Sequence, residues 1–138
     1  MHVLRYNTSQ PPIDDARIRQ AMNLAIDREL LVEVLWGGLT EVPNSHQFAD
    51  YGPLFNPDRP QPQYDPDRAR ELLVEAGYQG EVINYDLIGG YYTAGDDAAE
   101  AIVQMWQEVG LNARVRFAES FWQRDDFHSH TWSNSLRF

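Results

Sequence analysis

Cysteine is missing from this chain of 138 residues. Disulfide bonds, thiolate metal sites and a cysteine nucleophile are therefore excluded. Lysine is missing too, so all 11 basic side chains are arginines, and they are scattered along an acidic chain whose formal net charge is -10. Because an acidic surface repels phosphate backbones, we expect no nucleic acid among the partners of this chain.

Long apolar runs are also missing. No stretch approaches the roughly 20 apolar residues that cross a bilayer, so we expect no direct membrane insertion by this segment. Three catalytic signatures are absent as well: a glycine-rich phosphate loop, a G-x-S-x-G turn and an H-E-x-x-H helix. The sequence thus lacks the short motifs that are typical of the common hydrolases and nucleotide-binding enzymes.

Three pairs of adjacent acids and one pair of histidines remain as candidates for acid–base or metal chemistry. The acids are Asp14 and Asp15, Asp96 and Asp97, and Asp125 and Asp126, and the histidines are His128 and His130. We interpret the first two acid pairs as helix N-caps and the third as a solvated turn. The histidines would share one face of a strand, but no third ligand lies nearby. We expect no enzymatic activity, no cofactor and no metal site.

Helix signals recur along the chain, each with an aspartate where an N-cap is needed and an apolar stripe at helical spacing. The first helix starts at Asp14 or Asp15 and buries Ile18, Ala21, Met22 and Ala25; the second starts at Asp27, buries Leu30, Leu31, Val34 and Leu35 and ends at Gly37 or Gly38; the third starts at Asp65 and Pro66 and ends at Gly77; the fourth runs from Asp96 or Asp97 to Val109 and buries Ala99, Ile102, Trp106 and Val109.

Alternating apolar and polar residues predict three strands, over His2–Thr8, Gly80–Ile88 and Leu111–Phe117. The middle strand has mixed faces, which predicts partial burial on both sides. Prolines crowd the segment 39–63 and exclude both a regular helix and a central strand, so we expect a long surface loop there. The order of elements indicates βαβ units and a largely parallel sheet, and the length fits one domain of the α/β class.

Two glycines and two tyrosines, Gly89 to Tyr92, directly follow the middle predicted strand. Ligands of open α/β sheets lie beyond the carboxyl ends of the strands. Tyr91 and Tyr92 are therefore candidates for ligand contact. The alternative is a simple strand-to-helix turn whose tyrosines cover the edge of the core, and the sequence favours neither.

Two longer patterns resemble those of a known family, the extracytoplasmic solute-binding proteins of oligopeptide and dipeptide ABC transporters, called bacterial solute-binding protein family 5. The first pattern consists of Asn7, Thr8, Pro11, Pro12, Asp15, Arg17, Ile18, Arg19, Ala21, Met22, Ala25, Ile26, Asp27 and Arg28; the second consists of Tyr64, Asp65, Pro66, Ala69, Leu72, Leu73, Ala76, Gly77 and Tyr78. With the pattern around Gly110 and Leu111, the resemblance covers nearly the whole chain.

The resemblance implies one lobe of a type II periplasmic-binding-protein-like fold, with a mixed, mostly parallel sheet flanked by helices and a long proline-rich loop. Residues 1–138 would form a single domain, part of the C-terminal lobe of a two-lobed protein. That protein would lie in the periplasm or be anchored at the cell surface. It would capture a small polar solute, such as a peptide-like molecule or a sugar, and deliver it to an ABC permease. The alternative is a stand-alone small α/β enzyme or interaction domain with no transport role.

The resemblance also implies a ligand-binding segment near residue 132. Trp132 looks like the family's cleft tryptophan, with Ser133, Asn134 and Ser135 in ligand-facing positions. Peptide-binding members carry an aspartate at the place of Ser135, where a carboxylate pairs with the α-amino group of a peptide. A hydroxyl cannot neutralise an ammonium group, so sugars, modified peptides and other polar solutes fit at least as well as ordinary peptides. The alternative places Trp132 in the core of the lobe and 133–135 in an exit loop.

Overall fold

The computed structural model describes residues 2–44, 49–118 and 129–133. Its helices and strands are, in chain order, β1 (His2–Tyr6), α1 (Ala16–Leu24), α2 (Arg28–Trp36), α3 (Pro66–Ala76), β2 (Ile83–Leu87), α4 (Gly95–Glu108), β3 (Ala113–Phe117) and β4 (Ser129–Ser133). A short 3-10 segment, Ala49–Leu54, is the only helical part of the described portion of the proline-rich stretch. The predicted α/β class and the irregular course of this stretch are confirmed.

The strands form one sheet in the order β1-β4-β2-β3. The central strand β2 runs parallel to both β3 and β4, whereas β1 is antiparallel to β4. The chain passes from β2 through α4 to β3 on one side of β2 and later places β4 on the other side. The carboxyl ends of β4, β2 and β3 consequently meet at one edge of the sheet, which we call the carboxyl edge.

Three helices begin where an aspartate supplies the cap. Asp15, Asp27 and Asp65 each accept a hydrogen bond, at 2.8 to 3.0 Å, from a backbone N–H in the first turn of α1, α2 and α3, respectively. Such a bond satisfies one of the donors that have no partner inside the helix. Gly37 and Gly77 end α2 and α3 in the left-handed conformation that glycine adopts without steric cost. These predictions are confirmed.

The hydrophobic core lies between the four helices and one face of the sheet. Trp106 of α4 is fully buried at its centre, with its ring 5.8 Å from that of Tyr85 on β2 between centroids. Its indole N–H donates a hydrogen bond of 2.9 Å to the carbonyl oxygen of Met22 on α1. One side chain thus joins two helices and the central strand.

Two helices bury other residues than the spacing predicts. On α2, Leu30 and Val34 are 48% and 68% exposed, because among the described elements α2 packs mainly against α4 and buries only a narrow stripe around Leu31. On α4, Ile102 is half-buried and its neighbour Val103 is buried. The face of α4 that packs against the core is therefore slightly rotated from the predicted stripe.

Several predicted boundaries are wrong by a few residues. The strand β1 ends at Tyr6, and β2 begins at Ile83. The third predicted strand begins at Ala113, since Leu111 belongs to the turn after α4. The helix α4 begins at Gly95, so neither Asp96 nor Asp97 is its N-cap; both lie in its first turn. Ala94 occupies the cap position and makes no side-chain capping bond.

The middle strand is more buried than predicted. All five residues of β2 are buried, because β3 and β4 flank its edges, the core covers one face and arginines of β3 pair with the polar residues of the other. Asp86, only 3% exposed, faces Arg116 on β3, whose guanidinium forms two bonds with the carboxylate, at 2.5 and 3.0 Å. Beside it, Arg114 donates a bond of 2.8 Å to the side-chain oxygen of Asn84. The face of the sheet away from the core therefore holds buried polar groups, each paired with an arginine.

The cap of α1 gives the chain a titration that can be measured. A side-chain hydrogen bond from Arg17, aided by the Arg17 backbone N–H, lowers the pKa of Asp15 from 3.8 to about 2. A carboxyl whose pKa is lower in the folded state stabilises the fold above its unfolded pKa, and this contribution is lost as the pH falls through its folded pKa. We expect Asp15→Asn to flatten the decline in melting temperature between pH 4 and pH 2. Identical declines in the two proteins would contradict this assignment.

Candidate functional site

The carboxyl edge is the part of the molecule with the features of a binding site. Leu87 at the end of β2 pairs with Phe117 at the end of β3, and Asp86 pairs with His130 of β4. The direction of chain connection reverses between β2 and β4, and open α/β sheets bind ligands at such switch points. The backbone of Ser133, at the end of β4, lies on this edge. The candidate site is therefore the surface beyond the carboxyl ends of β2, β3 and β4.

A short turn, residues 88–94, leads from β2 to α4, and we call it the tyrosine turn. The rings of Tyr91 and Tyr92 meet edge to face, with centroids 4.7 Å apart and an interplanar angle of 84°. Tyr91 is 59% exposed, whereas Tyr92 is half-buried and packs against Gly95, where an added Cβ would lie 3.0 Å from the Cβ of Tyr92. The ring of Tyr91 is thus exposed at the carboxyl edge, and the ring of Tyr92 packs against it from the inner side.

Neighbouring groups hold the tyrosine turn near its start. The Asp96 carboxylate accepts the backbone N–H of Gly90 with both oxygens, at 3.1 and 3.0 Å. At the start of the turn, a Cβ added to Gly89 would lie 3.1 Å from the Phe117 ring, so backbone and ring are in close contact. Phe117 itself is 54% exposed. Two neighbouring elements, α4 and β3, therefore fix the position of this turn.

The last residue of the turn is under backbone strain. Ala94 has a φ of 53°, in the left-handed region that residues with a Cβ rarely adopt. Among the described residues it is the only non-glycine with positive φ. Such conformations cost of order 1 kcal/mol or more and collect at binding and catalytic sites. The strain agrees with a functional part for this turn.

The other predicted ligand residues lie partly inside the described structure. Trp132 and Ser133 belong to β4, where their register partners on β1 are Val3 and His2. The backbone of Trp132 and Ser133 therefore lies at the carboxyl edge, on the strand adjacent to β2. Asn134 and Ser135 lie outside the described residues. The role of the segment 132–135 in ligand contact stays a prediction.

The side chains in the described part of the chain that could bind a metal ion are its histidine and acidic residues. No group of three or more histidine, cysteine or acidic side chains there could hold a metal ion. Of the two predicted candidate ligands, His130 is placed on β4, and His128 lies outside the described residues. Within 2–44, 49–118 and 129–133, no helix has the length and apolar character required to cross a membrane.

Sequence reasoning missed Asp96 and Phe117 as parts of the candidate site. The sequence predicts a helix cap at Asp96, because an acid just before a helical stripe usually caps it. Its true partner is the Gly90 amide six positions back, a spacing that no short motif encodes. Phe117 was assigned to the apolar face of its strand by alternation. The available signal was its place at the end of a strand parallel to β2, which appears only once the sheet order is known.

Comparisons with known proteins agree with this architecture. A family model described as "Bacterial extracellular solute-binding proteins, family 5 Middle" matches residues 1–136. The glutathione-binding protein GsiB of Pectobacterium atrosepticum is 40% identical over 114 residues, which cover 79% of this chain and 21% of that protein. The heme-binding protein A of Haemophilus influenzae is 33% identical over 113 residues, covering 78% and 20%. The chain spans about a fifth of the length of these curated relatives.

Solved structures show the same fold. The dipeptide-binding protein of Pseudoalteromonas sp. SM9913, in complex with Met-Leu, is 25% identical with a TM-score of 0.74, over 96% of this chain and 28% of that one. The substrate-binding protein CtaP of Listeria monocytogenes is 16% identical with a TM-score of 0.82, over 94% and 28%. The predicted fold is confirmed, and among these proteins CtaP is named as a substrate-binding protein of an ABC transporter.

Proposed function

The chain belongs to family 5 of the bacterial extracellular solute-binding proteins, and from this we propose that it is part of the substrate-binding component of an ABC importer. Residues 1–138 form part of the C-terminal lobe of a two-lobed protein in this proposal. That protein lies in the periplasm or at the cell surface, captures a small polar solute between its lobes and delivers it to the permease subunits. It carries out no covalent reaction.

The observation that carries the proposal is the exposed aromatic turn at the carboxyl edge. An exposed ring held on a fixed turn can cover an apolar or planar part of a solute at little cost in conformational entropy. Tyr91 and Tyr92 supply such a surface beyond β2. In this proposal the segment that begins with Trp132 and Ser133 of the adjacent β4 and continues in sequence with Asn134 and Ser135 adds a tryptophan, hydroxyls and an amide. An aromatic surface with a few polar groups is the usual composition of a small-molecule site.

The mechanism follows from a divided site. Each lobe presents part of the contacts, so the solute gains its full binding energy only when the lobes close on it by hinge motion. The solute thereby shifts the population toward the closed protein, because only that form makes both sets of contacts. The closed form is the one offered to the permease.

For the solute we propose a modified peptide, with glutathione as the first candidate. A relative named as glutathione-binding is 40% identical to this chain. Glutathione is linked through the side-chain carboxyl of its glutamate, so its ammonium group is accompanied by a carboxylate on the same carbon. The carboxylate of the zwitterion already neutralises the ammonium group in part, whereas the amino terminus of an ordinary peptide depends on a carboxylate of the protein. This difference agrees with Ser135 at the place of the family's aspartate.

Tyr91 offers a direct test in the full-length protein. We expect Tyr91→Ala to weaken the binding of reduced glutathione about fivefold or more, since packing on an aromatic ring contributes about 1 kcal/mol or more. Tyr91→Phe keeps the ring and is expected to stay within about threefold of the unaltered protein. Calorimetric titration gives both affinities.

Two results would count against the proposal. If the unaltered full-length protein binds neither glutathione nor the dipeptide Met-Leu, the solute-binding role at this edge is lost. If it binds glutathione and Tyr91→Ala binds equally well, the tyrosine turn is not part of the site.

A further inference from the structure

Asp96, in the first turn of α4, has an unusual hydrogen-bond partner. A carboxylate in a first helical turn is already favoured there by the helix dipole, and it commonly accepts N–H groups of its own helix. Asp96 instead reaches back to the tyrosine turn and accepts the Gly90 N–H with both oxygens. Hydrogen bonds to an ionised acceptor are about twice as strong as neutral ones. The helix thus anchors the turn through a charge-assisted bond.

This bond constrains the backbone at Gly90, a position that has no side chain to pack against its neighbours. Gly90 has a φ of 67° and open space where a side chain would be, so its own bulk fixes nothing. The following Tyr91 N–H reaches the Ile88 carbonyl only at 3.4 Å. Of the backbone N–H groups of Gly90 and Tyr91, the one held by Asp96 thus makes the shorter hydrogen bond. It acts one residue before Tyr91, whose ring stands at the carboxyl edge.

We infer that Asp96 is a positioning residue for solute binding, which holds the Gly90 amide so that the Tyr91 ring is already in place before the solute arrives. The inference rests on the proposed function. A turn that is ordered in advance does not have to be ordered by the solute, so affinity is gained without an additional contact. The strained Ala94 between the turn and the helix agrees with a backbone kept in one conformation against a local cost.

Asp97 provides a matched control. It is the next residue in the same first turn and carries the same charge, so Asp97→Ala removes the same favourable interaction with the helix dipole. No hydrogen bond from Asp97 to the tyrosine turn occurs among the described residues. Asp96→Asn keeps a side-chain oxygen that can accept the Gly90 N–H, and so separates the loss of the bond from the loss of the charge.

The experiment measures two quantities in the full-length protein. Hydrogen exchange of the peptide that covers residues 88–94 reports the order of the turn, and calorimetric titration with reduced glutathione reports affinity. Asp96→Ala is expected to exchange at least about tenfold faster there and to bind about tenfold more weakly. Asp97→Ala is expected to match the unaltered protein within about twofold in both, and Asp96→Asn to lie between them.

The outcomes separate this inference from the proposed function. If Asp96→Ala matches Asp97→Ala in exchange, or exchanges faster with unchanged affinity, the positioning role is wrong while the proposed function stands. If the unaltered protein binds no glutathione, the proposed solute is wrong and this inference is overturned with it. A melting temperature of Asp96→Ala that falls no further than that of Asp97→Ala shows that a loss of affinity is local.

Discussion

Replacing Trp106 by alanine is expected to lower the free energy of unfolding by about 3 to 5 kcal/mol, a large part of what a domain of this size has. The side chain is fully buried and packs beside Tyr85, so its removal leaves a cavity. The carbonyl of Met22 also loses the indole N–H that it accepts at 2.9 Å. Chemical denaturation followed by circular dichroism measures the change.

Two further variants divide this effect into parts. Trp106→Phe keeps most of the apolar volume but not the N–H, and a loss of about 1 to 3 kcal/mol is expected from the smaller cavity and the unsatisfied carbonyl. Gln104→Ala changes an exposed residue on the same helix and is expected to stay within about 0.5 kcal/mol. A Trp106→Ala protein as stable as Gln104→Ala would show that α4 does not pack on α1 and β2 as described.

Replacing Asp86 by alanine is expected to lower the free energy of unfolding by about 2 to 3 kcal/mol. The carboxylate is buried, and its two bonds to the Arg116 guanidinium disappear together. The Arg116 side chain is 40% exposed and keeps part of its hydration, which places the expected loss below that of a fully buried pair.

An exposed ion pair on α3 serves as the matched control for this prediction. Arg70 and Asp67 are also in contact, at 2.6 Å, but their side chains are 49% and 90% exposed. Surface pairs of this kind contribute little, so Asp67→Ala is expected to cost about 0.5 kcal/mol or less. Equal losses in Asp86→Ala and Asp67→Ala, measured by denaturant titration, would show that burial does not strengthen the Asp86 pair.

The features that could be predicted from the sequence are those that local chemistry determines. An aspartate just before a helix can accept a free amide of the first turn without help from distant residues, and Asp15, Asp27 and Asp65 do so as expected. The same holds for Gly37 and Gly77, whose left-handed conformation ends a helix locally. Alternation located β2 and β3 and the end of β3 at Phe117, but neither the first residue of each strand nor the end of β2, because a strand extends only as far as its neighbour pairs with it.

Features that depend on distant parts of the chain were missed. The burial of a helical stripe requires a neighbour of matching width, and Leu30 and Val34 remain exposed because α2 has a narrow contact with the rest of the described chain. The burial of Asp86 depends on Arg116, which lies 30 residues later in the chain and pairs with it from the neighbouring strand β3. The hydrogen bond from the Gly90 N–H to Asp96 likewise depends on how α4 is placed after β2, which no local pattern determines.

The candidate site could be predicted in outline from the position of a turn after a strand. The glycines and tyrosines after β2 marked the loop, and the sheet order adds that β4 ends beside it at a switch point. The resemblance to the family, which the comparisons confirm, supplied the segment 132–135. Physical reasoning on the residues alone could not have connected the two, since a switch point is a property of the sheet and not of either segment.

A calorimetric titration with reduced glutathione, made on the full-length protein and on the isolated chain of 138 residues, tests the central claim most directly. The claim is that this chain carries one part of a divided solute site. It predicts binding by the full-length protein and at least about 100-fold weaker binding by the isolated chain, because the contacts of the other lobe are lost. Equal affinity in the two proteins would contradict it, since the chain would then hold a complete site of its own.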